Sequence, residues 1–148
     1  MNRNVHERRI ILLVDDDEDD RLMLQEAFKK IGEPCHFVEA ANGEDALMRL
    51  KDLIYTANEW PCLIVLDMNM PKMNGRETFL AIRKNEKTVS IPIVVFSTSH
   101  NENDKEYFKG DNTTYISKPA RFNDLVNLAK GLFNYCEDEA IPATGAKT

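Results

Sequence analysis

Charged residues close three apolar runs in this chain. Asp67 ends Cys62-Leu63-Ile64-Val65-Leu66, Asp15 and Asp16 end Ile10-Ile11-Leu12-Leu13-Val14, and Lys118, followed by Pro119, ends Tyr115-Ile116-Ser117. In a parallel α/β sheet the carboxyl ends of the strands lie along one edge and ligands bind there, so these termini would converge on one polar site. Carboxylates gathered in that way repel one another at neutral pH unless a divalent cation sits among them. Mg²⁺ accepts a few carboxylate oxygens while keeping several waters. Acids sharing a metal, a carboxylate left to react and a lysine to hold a phosphoryl oxygen are the parts needed for phosphoryl transfer onto Asp67.

The elements that would position these groups follow from the periodicity. Apolar, β-branched runs alternate with helical patterns, the signature of βαβ units and a parallel sheet. Strands are expected over residues 9–15, 36–40, 62–67, 92–97 and 114–117. The first, third and fourth are almost continuously apolar, so they belong in the middle of the sheet. Between them, Asp19 or Asp20 can cap a helix through Ile31 that Gly32 ends, and a second helix runs from Gly43 to Ile54. Tyr55 to Pro61 makes a longer connection than a βα unit needs, a possible partner surface. A third helix follows Gly75, after a loop in which Pro71 limits the backbone and Gly75 permits a tight turn. A fourth, Asn101 to Lys109, has only Tyr107 and Phe108 as large apolar anchors, and a fifth runs from Phe122 to Tyr135 with more apolar positions than one stripe uses.

Each site residue also has an ordinary explanation. An acid at a strand end can simply cap the next helix, and the run Asp15 to Asp20 contains a solvated capping turn that accounts for Asp19 and Asp20. It accounts poorly for Asp15 and Asp16, which directly continue a buried strand. The same run imitates a calcium-binding EF-hand loop at Asp15, Asp17, Asp19 and Glu26, but Asp20 stands where that loop needs glycine and a strand, not a helix, precedes it. Lys118 could be a surface lysine, and Ser97-Thr98-Ser99 a routine strand-to-loop transition whose hydroxyls could bond a phosphoryl oxygen.

Taken together, V-D-D after the first strand, L-D-M-N-M-P-x-M-N-G after the third, F-S-T after the fourth and K-P after the fifth resemble the receiver domain of two-component response regulators. The match runs from about Arg9 to Tyr135. The resemblance implies a flavodoxin-like, doubly wound (βα)5 domain with strand order 2-1-3-4-5, covering residues 1–136, with 137–148 as an acidic tail. It implies that Asp67 is the phosphoacceptor, that Asp15, Asp16, Asp67 and the Asn69 main-chain carbonyl hold Mg²⁺, and that Lys118 pairs with the phosphoryl group. Main-chain groups of Asn69 and Thr98 would bind phosphoryl oxygens, and Ser97 and Tyr115 would be the switch residues. The implied partner is a sensor histidine kinase or histidine phosphotransfer protein, with output through the surface of the fourth helix, fifth strand and fifth helix, by homodimerisation or hetero-association. The Tyr55–Pro61 loop and the extra length after the fifth helix are similar to single-domain regulators that accompany phytochrome-type kinases.

Composition narrows the alternatives. With 148 residues, 43% of them hydrophobic, the chain suits one domain, which with the resemblance implies a stand-alone regulator, and a net charge of −6 offers no field for a phosphate backbone. No apolar run approaches the roughly 18 residues needed to span a bilayer, so a cytoplasmic protein is expected. The three cysteines, Cys35, Cys62 and Cys136, are widely spaced and read as reduced thiols. A flavin carrier on this fold would need a hydroxyl- and glycine-rich loop where the acids stand. A phosphohydrolase built on Asp67 would want a second acid at position 69, where Asn69 stands.

Overall fold

The computed structural model describes residues 9–68, 70, 72–97, 106–108, 110 and 112–137. Five parallel strands, β1 (Ile10–Val14), β2 (His36–Ala40), β3 (Leu63–Asp67), β4 (Ile93–Ser97) and β5 (Thr113–Ser117), form one sheet in the order β2-β1-β3-β4-β5. The inner positions of β1, β3 and β4 match their apolar content, since a strand covered on both faces can expose neither set of side chains. Around the sheet lie helices α1 (Glu18–Lys30), α2 (Gly43–Lys51) and α3 (Gly75–Lys84), and a terminal helix at Phe122–Leu132. Among the described residues no helix is long and apolar enough to cross a membrane.

Strand alternation sorts the core into two layers. Ile11, Leu13, Leu63, Val65, Val94 and Phe96 meet α1 and the terminal helix on one face. Leu12, Val14, Ile64, Leu66, Ile93 and Val95 meet α2 and α3 on the other. The same alternation carried to the strand ends has a functional consequence. Asp15 keeps the parity of Leu13, Asp67 that of Val65, and Lys118 that of Ile116, so all three belong to the face that α1 covers.

Several local expectations are corrected. The cap of α1 is Asp17, whose side chain accepts from the amides of Asp19 and Asp20; neither Asp19 nor Asp20 is the cap. Helix α2 ends at Lys51 and the chain continues as a π-helical turn over Asp52–Thr56, so the coil extends further than Ile54 but loses its α spacing. The terminal helix uses its wide apolar stripe mostly as core: Leu125, Ala129, Leu132 and Phe133 are buried, and Val126 and Leu128 pack partly against them. A helix lying in the angle between the sheet and α1 has two neighbours to cover, hence the excess over one stripe.

The largest correction concerns the thiols. Cys62 and Cys136 form a disulfide across 74 positions, with Cα atoms 5.0 Å apart, and Cys35 stays free. The separation hid the pair, because only the folded sheet brings the start of β3 against the turn that follows the terminal helix. Disulfides persist mainly in oxidising compartments. This bond and a cytoplasmic address therefore pull in opposite directions.

Of the fourth expected helix only residues 106–108 are described, and Phe108 is its anchor. The ring is fully buried, edge-on to Phe79 at 5.0 Å and stacked on Tyr115 at 5.5 Å. The rest of that helix, and the expected tail beyond Glu137, lie outside the described residues.

Candidate functional site

Local folding at the strand ends builds the site. At β1 the chain leaves the sheet with the Asp15 amide bonded to the Ala40 carbonyl (3.0 Å), and the Asp15 side chain accepts from the Asp17 amide (2.9 Å). At β3 the Asp67 backbone is pressed against the start of α3. A Cβ on Gly75 would lie 2.6 Å from the Asp67 carbonyl oxygen and 2.8 Å from Met68 Cα, so only glycine permits the close approach. A capping box of Asn74 and Glu77 then starts α3. At β5, Lys118 leaves the strand and reaches across the sheet edge.

The predicted acids come together. Carboxylate oxygens of Asp15, Asp16 and Asp67 lie within 4.8 Å of one another; Asp15 and Asp67 are buried (9% and 8% exposed), while Asp16 faces solvent. Hard oxygen donors, two of them withdrawn from water and one open to it, fit a hard divalent cation that keeps part of its hydration shell. Lys118 joins the cluster, its ammonium donating to Asp15 Oδ2 at 3.1 Å.

Two further residues belong to the site that sequence reasoning did not place there. Asp20 Oδ2 accepts from the Lys118 ammonium at 2.7 Å, a shorter bond than the one to Asp15. Arg21 donates from Nη1 to the Asp15 carbonyl at 2.6 Å and from Nε to Glu39 Oε1 at 2.8 Å, bracing the strand end. The parity of Asp15 and Lys118 toward α1 was the available signal, since the first turn of that helix has to cover them.

Electrostatics reflect this crowding. Burial raises the Asp15 carboxyl above its ordinary value, with the Asp17 amide and Lys118 opposing it. Burial pulls the Lys118 ammonium down, but the bond to Asp20 and the charges of Asp15 and Asp67 outweigh it, and the net effect holds Lys118 above the usual lysine range. The ammonium is thus fixed in its charged form at neutral pH. Lys118 is the cationic side chain bonded to these acids, and Arg21 is engaged with the Asp15 carbonyl and Glu39, so the carboxylates of Asp15, Asp16, Asp20 and Asp67 leave room for a further cation.

The remaining expected groups are only partly visible. Ser97 ends β4, paired in register with Ser117, and its side chain is outside the description. Asn69 and Thr98 lie outside the described residues. Tyr115 is half-buried against the layer that meets α2 and α3, and its hydroxyl is buried with no hydrogen-bond partner among the described residues.

Similarity to known proteins agrees with this geometry. A family model described as response regulator receiver domain matches residues 11–130. The response regulator Rcp1 of Synechocystis sp. is 32% identical over 138 residues, 91% of this chain and 94% of that protein. The crystal structure of the phosphorylated cyanobacterial phytochrome response regulator RcpA superposes with a TM-score of 0.79 at 33% identity, covering 92% of this chain and 99% of that one. The Mn(2+)-bound form of Rcp1 gives 0.73 at 33% identity over 91% and 99%.

Proposed function

The chain belongs to the response regulator receiver domain family of two-component phosphorelay signalling, and from that premise we propose that Asp67 accepts a phosphoryl group from the phosphohistidine of a sensor histidine kinase or histidine phosphotransfer protein. The observation that carries the proposal is Asp67 itself, a buried carboxylate at the end of β3 with two other acids within 4.8 Å and a charged lysine beside them. In the transfer, an Asp67 carboxylate oxygen forms the new P–O bond as the P–N bond to the histidine breaks, and the imidazole takes the electron pair and then a proton. The slow reverse of signalling is attack by water on the acyl phosphate, which restores the carboxylate.

The residues divide the work. Asp15, Asp16 and Asp67 would hold Mg²⁺, with the Asn69 carbonyl as a further oxygen ligand. When bound, the ion supplies the positive charge that the crowded carboxylates lack and that transferring phosphoryl oxygens need. Lys118 contacts a phosphoryl oxygen and orients the group for in-line attack. Main-chain groups of Asn69 and Thr98 receive the other oxygens.

A phosphoryl group adds nearly two negative charges, which Ser97 can answer by turning inward, with Tyr115 following. The buried hydroxyl of Tyr115, which has no hydrogen-bond partner among the described residues, supports a ring that gains by moving, since burying such a group without a partner is unfavourable. The output face is then the expected fourth helix, β5 and the terminal helix, as a homodimer or with a partner protein. With the terminal stripe used as core, Phe122 and Tyr135 are the exposed rings on that helix and the turn after it that such a contact could use. The proposed location is the cytoplasm, and the acidic charge argues against direct binding to nucleic acid.

Acetyl phosphate with Mg²⁺ tests the assignment. The protein should gain an acid-labile phosphoryl group that maps to the Asp67 peptide, and Asp67→Asn should gain none. Label retained by that variant would remove Asp67 as the acceptor.

A further inference from the structure

We propose that Asp20 is a positioning residue that holds the Lys118 ammonium in the resting protein and competes for it with the phosphoryl group. The inference rests on Asp67 as phosphoacceptor, and goes beyond it by giving the pocket a built-in rival for its lysine.

The geometry is specific. Asp17 is the cap of α1 and fixes the Asp20 amide through its side chain, so the Asp20 carboxylate is released from capping. It turns to Lys118 at 2.7 Å, against 3.1 Å for Asp15. The two acids stand differently: Asp15 is the buried partner and Asp20 the outer one, with side chains 12% and 41% exposed. Lys118 at rest is therefore drawn between an inner and an outer carboxylate.

Phosphorylation changes this contest. A phosphoryl group on Asp67 brings nearly two negative charges and new acceptor oxygens, more than a single half-exposed carboxylate can match. Asp15, Asp20, Asp67 and Lys118 line one cavity of about 50 Å³, so the acceptors that compete for the ammonium face the same space. Asp20 thereby raises the threshold for the phosphorylated arrangement, and removing its charge should make that arrangement easier to reach.

Beryllofluoride, which mimics the phosphoryl group on an aspartate, measures the threshold by calorimetric titration at saturating Mg²⁺. Asp20→Asn should bind it roughly three-fold more tightly than wild type, the size of effect an exposed ion pair can set. Asp20→Glu, which restores the charge, should return toward wild type. Asp19→Asn, which removes the same charge from the same helical turn without touching Lys118, should bind as wild type does. Equal or weaker binding by Asp20→Asn, or the same gain from Asp19→Asn, would overturn the inference by reducing Asp20 to structure or to general charge. Wild-type protein that binds no beryllofluoride in Mg²⁺ would instead defeat the phosphoacceptor assignment, a distinguishable failure.

Discussion

The two edges of the sheet are built on opposite principles. At the amino-terminal edge the groups are tied down: Cys62 is bonded to Cys136, the Cys62 amide donates to the Ile10 carbonyl (2.8 Å), Arg9 Nε donates to the Cys136 carbonyl (2.9 Å), and the Arg9 guanidinium lies 5.6 Å over the Phe133 ring. At the carboxyl-terminal edge, Asp15 and Asp20 share Lys118, Asp16 and Asp67 crowd against Asp15, and Asp15 and Asp67 are buried. The first edge satisfies its polar groups within the chain. The second leaves charge to be answered from outside it, by a cation and then by a phosphoryl group. Stability should thus be concentrated at one edge and chemistry at the other, and variants at the two edges should fail differently.

The largest separation is expected from Lys118→Ala. Losing the one cation that meets the phosphoryl oxygens should slow phosphorylation by acetyl phosphate on the order of 100-fold. Melting should fall as well, because the pairing of the ammonium outweighs its burial, so the rate is compared at a temperature where the variant stays folded. A rate within a few-fold of wild type would return Lys118 to a structural role.

Next comes the opposite edge. Replacing Cys62 and Cys136 together by alanine, or reducing the bond, opens a loop of 74 positions and should remove about 4 kcal/mol, lowering the melting temperature on the order of 10 °C. Phosphorylation at a temperature where the variant stays folded should remain within about two-fold of wild type. A large fall in rate without a fall in stability would mean that the two edges communicate.

How much of this was readable beforehand follows from what each feature depends on. Asp15, Asp16, Asp67 and Lys118 could be placed because strand ends are marked by where apolar runs stop, and a parallel sheet puts those ends on one edge. Asp20 could not be ranked above Asp19 in a run of acids, since the choice depends on the rotation of α1 and on Asp17 taking the cap. The disulfide depended on a contact between residues 74 apart, and its cysteines carried no local pattern. The terminal helix misled for a related reason: periodicity counts apolar positions but does not say whether one neighbour or two will cover them.

A smaller effect sharpens the account of the charged edge. Burial holds the Asp15 carboxyl above its ordinary value, so folding favours its neutral form. That stabilisation is present below the unfolded value of 3.8 and lost as pH rises through the raised one. In chelator the melting temperature should therefore carry a component that falls as pH rises from the carboxylate range toward neutrality, and Asp15→Asn should remove that component. Mg²⁺ in the millimolar range should lift the neutral end of the curve by about 3 °C, through binding the folded state alone, and Asp16→Ala should abolish most of the lift. A wild-type curve indifferent to Mg²⁺ would argue against a metal site.

The smallest expected effect concerns how the edge is braced. Arg21 spans from Glu39 to the Asp15 carbonyl, and the hydrogen bond from Arg21 is the main reason the Glu39 carboxyl is held below its ordinary value. A lowered carboxyl contributes stability that is present above its unfolded value of 4.5 and lost as pH falls through the lowered one. Glu39 is 44% exposed, so solvent screening limits the pair to about 0.5 kcal/mol. Glu39→Gln should accordingly lower the melting temperature by roughly 1–2 °C at neutral pH and by nothing once pH has fallen below the carboxylate range. The guanidinium keeps its bond to the Asp15 carbonyl in that variant, so phosphorylation should proceed at the wild-type rate. Arg21→Gln loses both bonds and frees the strand end that carries Asp15. It should slow phosphorylation by about three-fold while destabilising the protein no more than a second exposed pair would. If Glu39→Gln slowed the reaction as much as Arg21→Gln, the brace would depend on the ion pair and not on the bond to the backbone, and the charged edge would reach as far as β2.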